Sequence, residues 1–185
     1  VARARRLLKR GFRESDGLFL AEGPQACREA ATAGKVKELF LTQEAFDRYA
    51  EIVSVIEASG AEITVCTEAV IEQFSSTVSP QGMTAVVQMW DQNPSELFKP
   101  GTKLVVALTA VRDPGNAGSV IRVADAAGAN GVVMSSDSVD LFNPKVVRAS
   151  VGSIFHLPIS VGQELAETIS AARVAGMQVL AADAN

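Results

Sequence analysis

The chain has 185 residues, of which 48% are hydrophobic and 21% are charged, so it can bury a core and is neither a disordered nor a collagen-like chain. Its formal net charge is −4, and its two cysteines, Cys27 and Cys66, lie far apart without metal-ligating neighbours, which predicts no disulfide framework, no metal site and a reducing, cytoplasmic location. No apolar run approaches the ~20 residues that cross a bilayer, and no hydrophobic signal core follows the basic start of the chain, so we expect no membrane partner.

The first 13 residues concentrate positive charge. They hold six basic residues and no acidic one, whereas the other 172 residues hold 11 basic and 21 acidic residues. Such a short segment can displace counterions from a phosphate backbone, which favours RNA or DNA as a partner. A solubilising helix end or a disordered tail would have the same composition. The six residues are Arg3, Arg5, Arg6, Lys9, Arg10 and Arg13.

A compact α/β unit is predicted between Leu18 and Met89, because short apolar runs alternate there with amphipathic stretches. The segment 91–101, which combines two prolines with polar residues, follows it and predicts a linker between two domains. The predicted strands of the first unit are 18–21, 38–42, 62–66 and 84–89, and its predicted helices are 24–34, 45–59 and 68–74.

The alternation restarts after the linker with strands that are apolar throughout. Strands of this kind, separated by helices, predict a parallel sheet covered on both faces. Ligands of such sheets bind beyond the carboxyl ends of the strands, so we expect chemistry at the turns after Leu108 and Ala182. The predicted strands are 103–108, 131–134 and 177–182, and the predicted helices are 116–127 and 164–175.

The turn after Leu108 leads into a helix that carries an arginine. Asn116 is placed to cap this helix, and Arg122 lies off its apolar stripe, one turn above Gly118. A guanidinium beside a bare backbone patch and a helix start is suited to a phosphate group. An arginine on a solvated helix face would have the same sequence. The spacing Gly115-x-x-Gly118 differs from the dinucleotide-binding fingerprint, and no Gly-Lys-Ser/Thr loop is present.

Three segments of the chain resemble one family. Residues 113–124 resemble the first motif of the SpoU (TrmH-like) family of RNA ribose 2′-O-methyltransferases, in the SPOUT superfamily. Residues 141–159 are similar to a second family segment, Pro-Lys-x-x-Arg-x-Ser-x-Gly. Residues 19–24 resemble the start of the substrate-binding domain that many members place before the catalytic domain. The resemblance covers nearly the whole chain.

The resemblance implies an α/β protein of two domains. Residues 1–90 would form a ribosomal-protein-like RNA-binding domain with a basic N-terminal arm, residues 91–101 a linker, and residues 102–185 a parallel-sheet, knotted methyltransferase domain. It further implies that a methyl group passes from S-adenosylmethionine to a ribose 2′-hydroxyl of a structured RNA, in the first place rRNA and otherwise tRNA. Members of the family usually form homodimers, so a homodimer is expected.

The resemblance also assigns site residues by position. Asn116 and Arg122 match the asparagine and arginine of the first motif and are the expected catalytic residues. Because arginine stays charged in proteins, we expect Arg122 to hold the adjacent phosphate and to stabilise the developing alkoxide rather than to act as a base. His156 is expected to be structural. The expected RNA contacts are Arg3, Arg5, Arg6, Lys9, Arg10, Lys145, Arg148 and Ser150, and the expected donor contacts are Ala182, Asp183 and Ala184.

The ends of the chain bear on its function. The second and third family motifs, which would build most of the donor pocket, lie beyond Asn185, and the chain begins at Val1. We therefore expect a fragment of a longer enzyme, truncated within its methyltransferase domain. The alternative is a non-catalytic RNA-binding protein that keeps the fold without a complete donor pocket. A nucleotide-dependent oxidoreductase of the doubly wound class is a third hypothesis.

Overall fold

A computed structural model describes residues 1–75, 77 and 79–182 as two α/β units, each built on its own sheet. Within these residues, none of the helices combines the length and the apolar character needed to cross a bilayer. The four strands predicted in the first unit are present with ends shifted by one or two residues, and the parallel sheet predicted for the second unit is confirmed.

The N-terminal unit begins with two short helices and continues as a four-stranded sheet in the order β1-β4-β2-β3. Strand β4 is antiparallel to both β1 and β2, whereas β2 and β3 are parallel. The elements are α1 (Ala2–Arg6), α2 (Arg10–Asp16), β1 (Leu18–Glu22), α3 (Pro24–Thr32), β2 (Val36–Leu41), α4 (Gln43–Arg48), α5 (Ala50–Ala58), β3 (Glu62–Val65), α6 (Glu68–Glu72) and β4 (Met83–Gln88).

The C-terminal unit contains a parallel sheet in the order β5-β6-β7, with helices in the connections. Gly118 in its first long helix and Gly131 in its second strand are both buried, and a Cβ at either position would clash with a neighbouring residue. The helix and the strand therefore lie close to the elements packed against them. The elements are a 3₁₀ helix (Pro94–Leu97), β5 (Val105–Leu108), α7 (Pro114–Ala126), β6 (Gly131–Ser135), α8 (Pro144–Ala149), a second 3₁₀ helix (Ser153–Phe155), β7 (Ile159–Gln163) and α9 (Leu165–Val174).

The helix predicted over 45–59 is two helices. The Thr42 hydroxyl accepts a hydrogen bond from the amide of Ala45 at 3.1 Å and caps α4. At Tyr49 the backbone leaves the helical region, with φ −115° and ψ 38°, and α5 begins at the next residue. The apolar spacing continues across this break because both helices cover the same core, so hydrophobic periodicity alone predicts one helix.

The strand predicted over 177–182 is wrong for this structure. The segment is apolar, but it adopts no regular structure, and Leu180 is 81% exposed. A strand forms only where a neighbouring strand satisfies its N–H and C=O groups, and no described strand pairs with this segment. An apolar composition thus shows that a segment is suited to a strand, but it does not show whether a neighbouring strand is available to pair with it.

The two units share one hydrophobic core. Phe19 of β1 lies 4.8 Å from Phe142 of the second unit, measured between ring centroids, and Trp90 lies 5.2 Å from the same ring. The intervening segment 91–101 contains the first 3₁₀ helix, whose Leu97 is buried against Gly131. The predicted linker is thus partly structured, and it joins two units that pack directly against each other.

Candidate RNA-binding and catalytic surface

Helix α7 begins directly after the turn that follows β5. Its N-cap is Asp113, whose Oδ1 accepts a hydrogen bond from the amide of Asn116 at 2.7 Å. The prediction that Asn116 caps the helix is therefore wrong, because Pro114 already occupies the first helical position, which suits proline. The Asn116 side chain instead lies exposed on the first turn.

Arg122 lies on the solvent side of α7, as the position of the apolar stripe predicted. The buried side of the helix is formed by Ala117, Gly118, Ile121 and Ala124. Arg122 itself is exposed, and its guanidinium makes no ion pair with any residue that the structure describes. A cation in this state can accept an anionic ligand without first breaking a protein salt bridge.

Gly118 brings the two sequence motifs into contact. A Cβ added at Gly118 would lie 2.5 Å from the Cβ of Ala149 and 2.9 Å from the amide nitrogen of Ser150, both far too close. Helix α7 therefore packs directly on the end of α8, which no larger residue at this position would permit. Since Arg122 lies one helical turn after Gly118, the backbone of Arg122 lies next to the contact between α7 and α8.

Helix α8 presents the two cations predicted to contact RNA, but in different states. Its N-cap is Asn143, whose Oδ1 accepts a hydrogen bond from the amide of Lys145 at 2.9 Å. Lys145 is exposed. Arg148 is partly buried, and its Nη1 lies 3.8 Å from Oε2 of Glu22, a largely buried carboxylate of the N-terminal unit. Arg148 thus links the two units as well as facing solvent.

Ser150 does not lie on the surface. It is completely buried, and its hydroxyl donates a hydrogen bond to the carbonyl oxygen of Val147 at 2.7 Å. Its small side chain fits under the close contact between α7 and α8. The expectation that Ser150 contacts RNA is therefore wrong, because its hydroxyl is buried and already bonded.

Two non-glycine residues with positive φ lie in the loops of the two motifs. Ala110, with φ 52°, precedes α7, and its amide donates a hydrogen bond to the hydroxyl of Ser135 at 3.0 Å. Val151, with φ 51°, follows α8 and is 48% exposed. A β-branched residue rarely adopts this conformation, and strain of this kind clusters at functional sites.

The basic N-terminal segment is folded into α1 and α2, which excludes a disordered tail. Its exposed side chains make weak local contacts: Arg3 lies 3.9 Å from Asp16, and the guanidinium of Arg6 lies 4.2 Å above the ring of Phe12. Arg10 donates a hydrogen bond to Glu14 at 2.7 Å. Exposed pairs of this type contribute little to stability, so these cations are accessible to phosphates.

Arg13 anchors the basic helices to the C-terminal unit, a role that the sequence did not reveal. Its side chain is buried, and its Nη1 donates hydrogen bonds to the carbonyl oxygens of Leu7 at 2.8 Å and Leu8 at 3.0 Å. Its Nε donates to Oδ2 of Asp140 at 3.1 Å, and its Nη2 bonds to the same oxygen. Asp140 lies five residues before Lys145, so the basic helices stand close to the start of α8.

The expected donor site lies at the carboxyl ends of the strands of the second unit. A crevice of about 160 Å³ lies at the carboxyl ends of β5 and β6 and is lined in part by Thr109, Ser135 and Gln163. Ligand pockets typically have volumes of ~300 Å³ or more, so this crevice is too small for S-adenosylmethionine. Of the predicted donor contacts, Ala182 is exposed, and Asp183 and Ala184 lie outside the described residues.

The comparisons with known proteins agree with these motifs. Residues 103–185 match the SpoU rRNA Methylase family. This match covers the C-terminal unit of the chain. Residues 1–85 match the MRM3-like substrate binding domain. The family resemblance seen in the sequence is thus confirmed.

Two similar proteins are rRNA methyltransferases by name. The chain is 34% identical over 168 residues to the 23S rRNA (guanosine(2553)-2′-O)-methyltransferase RlmP of Bacillus subtilis, covering 90% of this chain and 63% of RlmP. It is 31% identical over 156 residues to the mitochondrial rRNA methyltransferase 3 of Homo sapiens, covering 81% of this chain and 36% of that protein. The chain therefore spans less than two thirds of either relative.

A solved structure shows the same fold. The AdoMet-bound rRNA methyltransferase from Sinorhizobium meliloti superimposes with a TM-score of 0.82 at 29% sequence identity, covering 94% of this chain and 65% of that one. The expected fold, an N-terminal α/β unit followed by a parallel-sheet α/β unit of the SPOUT type, is confirmed by this match.

Proposed function

We propose that the protein is an S-adenosylmethionine-dependent RNA ribose 2′-O-methyltransferase that acts on rRNA or, failing that, on tRNA. The observation that carries the proposal is the contact of Gly118 with Ala149 and Ser150, because it joins the two family motifs into one surface. The names of the relatives support rRNA as the substrate. In this proposal the two units supply the RNA-binding surface and α7 supplies the arginine that acts on the ribose.

The RNA would be held through its phosphates. The exposed cations of α1 and α2 stand close to the start of α8, because Arg13 is bonded to Asp140. Together with Lys145 and Arg148 they form a basic surface that spans both units. Contacts of this kind position a nucleic acid without reading its bases. The proposed phosphate contacts are Arg3, Arg5, Arg6, Lys9, Arg10, Lys145 and Arg148.

Arg122 would act on the ribose-phosphate unit at the reacting position. A ribose 2′-hydroxyl is a weak acid and must lose its proton as its oxygen attacks a methyl carbon. Because a guanidinium does not give up its proton at neutral pH, Arg122 would stabilise the negative charge that develops on this oxygen and hold the neighbouring phosphate. Asn116, exposed about 1.7 turns earlier on α7, would contact the same nucleotide.

We also propose a division of labour, a homodimer and a cytoplasmic location. Residues 1–90 would bind RNA, residues 91–101 would connect the two domains, and residues from 102 onward would carry the chemistry.

The homodimer would form through an exposed apolar surface. Val123, which is 63% exposed beside Arg122, and Val151 offer such a surface, which a second copy would cover. Free cysteines persist in a reducing compartment, which supports the cytoplasmic location.

The proposal is tested by measuring donor binding and methyl transfer separately. Calorimetric titration with S-adenosylmethionine reports the donor pocket, and incorporation of a labelled methyl group into rRNA or tRNA, followed by mass mapping of the modified ribose, reports the reaction. We expect both to be positive for the whole protein. RNA binding without donor binding would instead support the alternative of a non-catalytic RNA-binding protein, and tight binding of a dinucleotide would support an oxidoreductase.

A further inference from the structure

His156 lies between two carboxylates that belong to different units. Its Nε2 is 2.9 Å from Oε2 of Glu29 on α3, and its Nδ1 is 2.8 Å from Oδ2 of Asp125 on α7. His156 itself follows the second 3₁₀ helix and is partly exposed. The imidazole thus bridges α3 of the N-terminal unit and α7, the helix that carries Arg122.

The hydrogen bonds require the doubly protonated ring. An ionised carboxylate only accepts hydrogen bonds, and a neutral imidazole has a single N–H, so both contacts form only when His156 is an imidazolium. The hydrogen bonds to Glu29 and then to Asp125, together with their negative charges, raise the pKa of His156 above its usual value. The bridge is therefore a protonated one.

The bridge rests on a close backbone contact. A Cβ added at Gly152 would lie 2.5 Å from Cγ of Glu29, so the side chain of Glu29 lies directly on the backbone after α8. The second oxygen of Glu29 accepts a hydrogen bond from Gln25 at 2.7 Å, which fixes the carboxylate. On α7, Asp125 lies three residues after Arg122 and hence on a neighbouring part of the helix surface.

We propose that His156 is a positioning residue which, as an imidazolium, holds α3 of the N-terminal unit against α7 and so sets the place of the basic helices relative to Arg122. The connection between the units stands on the geometry alone. Its effect on RNA rests on the proposed function, and the experiments below measure the two separately.

The helices around the bridge also carry arginines. On α3, Arg28 is paired with Glu51 of α5. On α7, Arg122 is the neighbouring cation, and on α8, Arg148 is paired with Glu22. The two carboxylates are thus the groups bonded to the ring. Because the pKa of His156 is raised when the bridge forms, the bridge is complete below the ordinary pKa of histidine and is lost as the pH rises through the raised value.

The chain carries its own probes for this proposal, since it contains a single histidine and a single tryptophan. Trp90 lies at the junction of the units, 5.6 Å from the ring of Phe155, the residue before His156. NMR of the His156 ring gives its pKa without ambiguity, and Trp90 fluorescence reports the packing between the units. We expect Glu29→Gln and Asp125→Asn each to lower the pKa of His156. Unchanged values in both variants would overturn the proposal.

The second experiment follows Trp90 emission from about pH 5 to pH 9, the range that brackets histidine titration. We expect the wild type to change with the midpoint of the His156 ring. His156→Arg, which keeps a cation with several donors, should stay at the low-pH signal throughout, and His156→Gln should stay at the high-pH signal throughout. A wild-type signal without a transition, or a His156→Gln protein that matches the low-pH wild type, would contradict the proposed role.

The third measurement is RNA affinity, with thermal unfolding as a check that each variant folds. His156→Gln should weaken RNA binding most at low pH, and His156→Arg should restore it and remove the pH dependence. If the ring and Trp90 respond as expected but RNA affinity does not, the bridge stands and its link to RNA binding is wrong. If no RNA binds to the wild type at any pH, the proposed function fails while the first two experiments still decide the bridge.

Discussion

Arg13 and Asp140, which are 127 residues apart in the sequence, form a buried ion pair that joins the first helices of the chain to the second sheet unit. The same guanidinium also closes the turn between α1 and α2 through the carbonyls of Leu7 and Leu8. One side chain therefore folds the basic segment and docks it. This explains why a segment that carries six cations is ordered rather than a solvated tail.

Replacing either partner of this pair should be costly. Arg13→Met leaves the Asp140 carboxylate without its cation, and Asp140→Asn leaves the buried guanidinium without its anion. Removing one partner of a buried pair typically costs about 3 kcal/mol or more, so we expect a loss of this size in the free energy of unfolding, measured with urea. Arg10→Ala, which removes an exposed pair with Glu14, is the control and should cost less than about 1 kcal/mol. Equal effects for the three variants would show that the buried pair is not special.

Gly118→Ala tests the contact between the two motifs. The added methyl group would meet Ala149 and the backbone of α8, and overpacking of this kind costs about 1–3 kcal/mol in unfolding free energy. Gly11→Ala is the matched control, because Gly11 also lies within a helix and a Cβ there meets nothing within 4 Å. The control should be neutral or stabilising by up to about 1 kcal/mol. A Gly118→Ala protein as stable as the control would mean that α7 and α8 are less closely packed than described.

The salt dependence of RNA affinity tests the basic helices. Arg5→Glu combined with Arg6→Glu removes two proposed phosphate contacts, so binding should weaken and the slope of log affinity against log salt should flatten by roughly 1.4–1.8. The same charge change at Lys37 and Lys103, both exposed and outside the basic helices, should leave the slope closer to that of the wild type. Filter binding at several salt concentrations gives all three slopes. A wild-type slope in the Arg5/Arg6 variant would remove the basic helices from the RNA contact.

The two cysteines should differ in reactivity. Burial raises the pKa of Cys27 to about 12, so at neutral pH its thiol stays protonated, and it is also inaccessible. Burial raises the pKa of Cys66 as well, but this side chain is only partly buried. We expect iodoacetamide to modify Cys66 first in the folded protein and Cys27 only after unfolding, as read by peptide mass spectrometry. Rapid modification of Cys27 in the native protein would contradict the described packing of α3 on β1.

Local sequence patterns were sufficient for most of the fold. The alternation of apolar runs identified the strands β1 to β6. The cap of α7 was misplaced because Asp113 and Asn116 are both good capping residues, and only the backbone shows which one accepts the hydrogen bond. The apolar segment 177–182 was misread because a strand depends on a partner that composition does not reveal.

The exposure of the candidate residues can be predicted where it depends on one helix, but not where it depends on distant residues. The exposure of Arg122 and Lys145 follows from helical periodicity, so both were placed correctly on the surface. The burial of Ser150 follows from the approach of a second helix, and the bridge of His156 joins residues that are 31 and 127 positions away. Contacts over such separations depend on the packing of the whole chain, and a single sequence carries no local signal for them.

The role of Arg122 is the central claim, and the most direct measurement compares ribose methylation of RNA by the wild type, Arg122→Ala and Arg173→Ala. Arg173 is an exposed arginine on α9 and controls for the loss of a surface charge. The account predicts that Arg122→Ala lowers the rate of methyl transfer about 100-fold or more while Arg173→Ala leaves it near the wild-type value, with RNA affinity reduced far less than the rate. Equal methylation by all three proteins would contradict it.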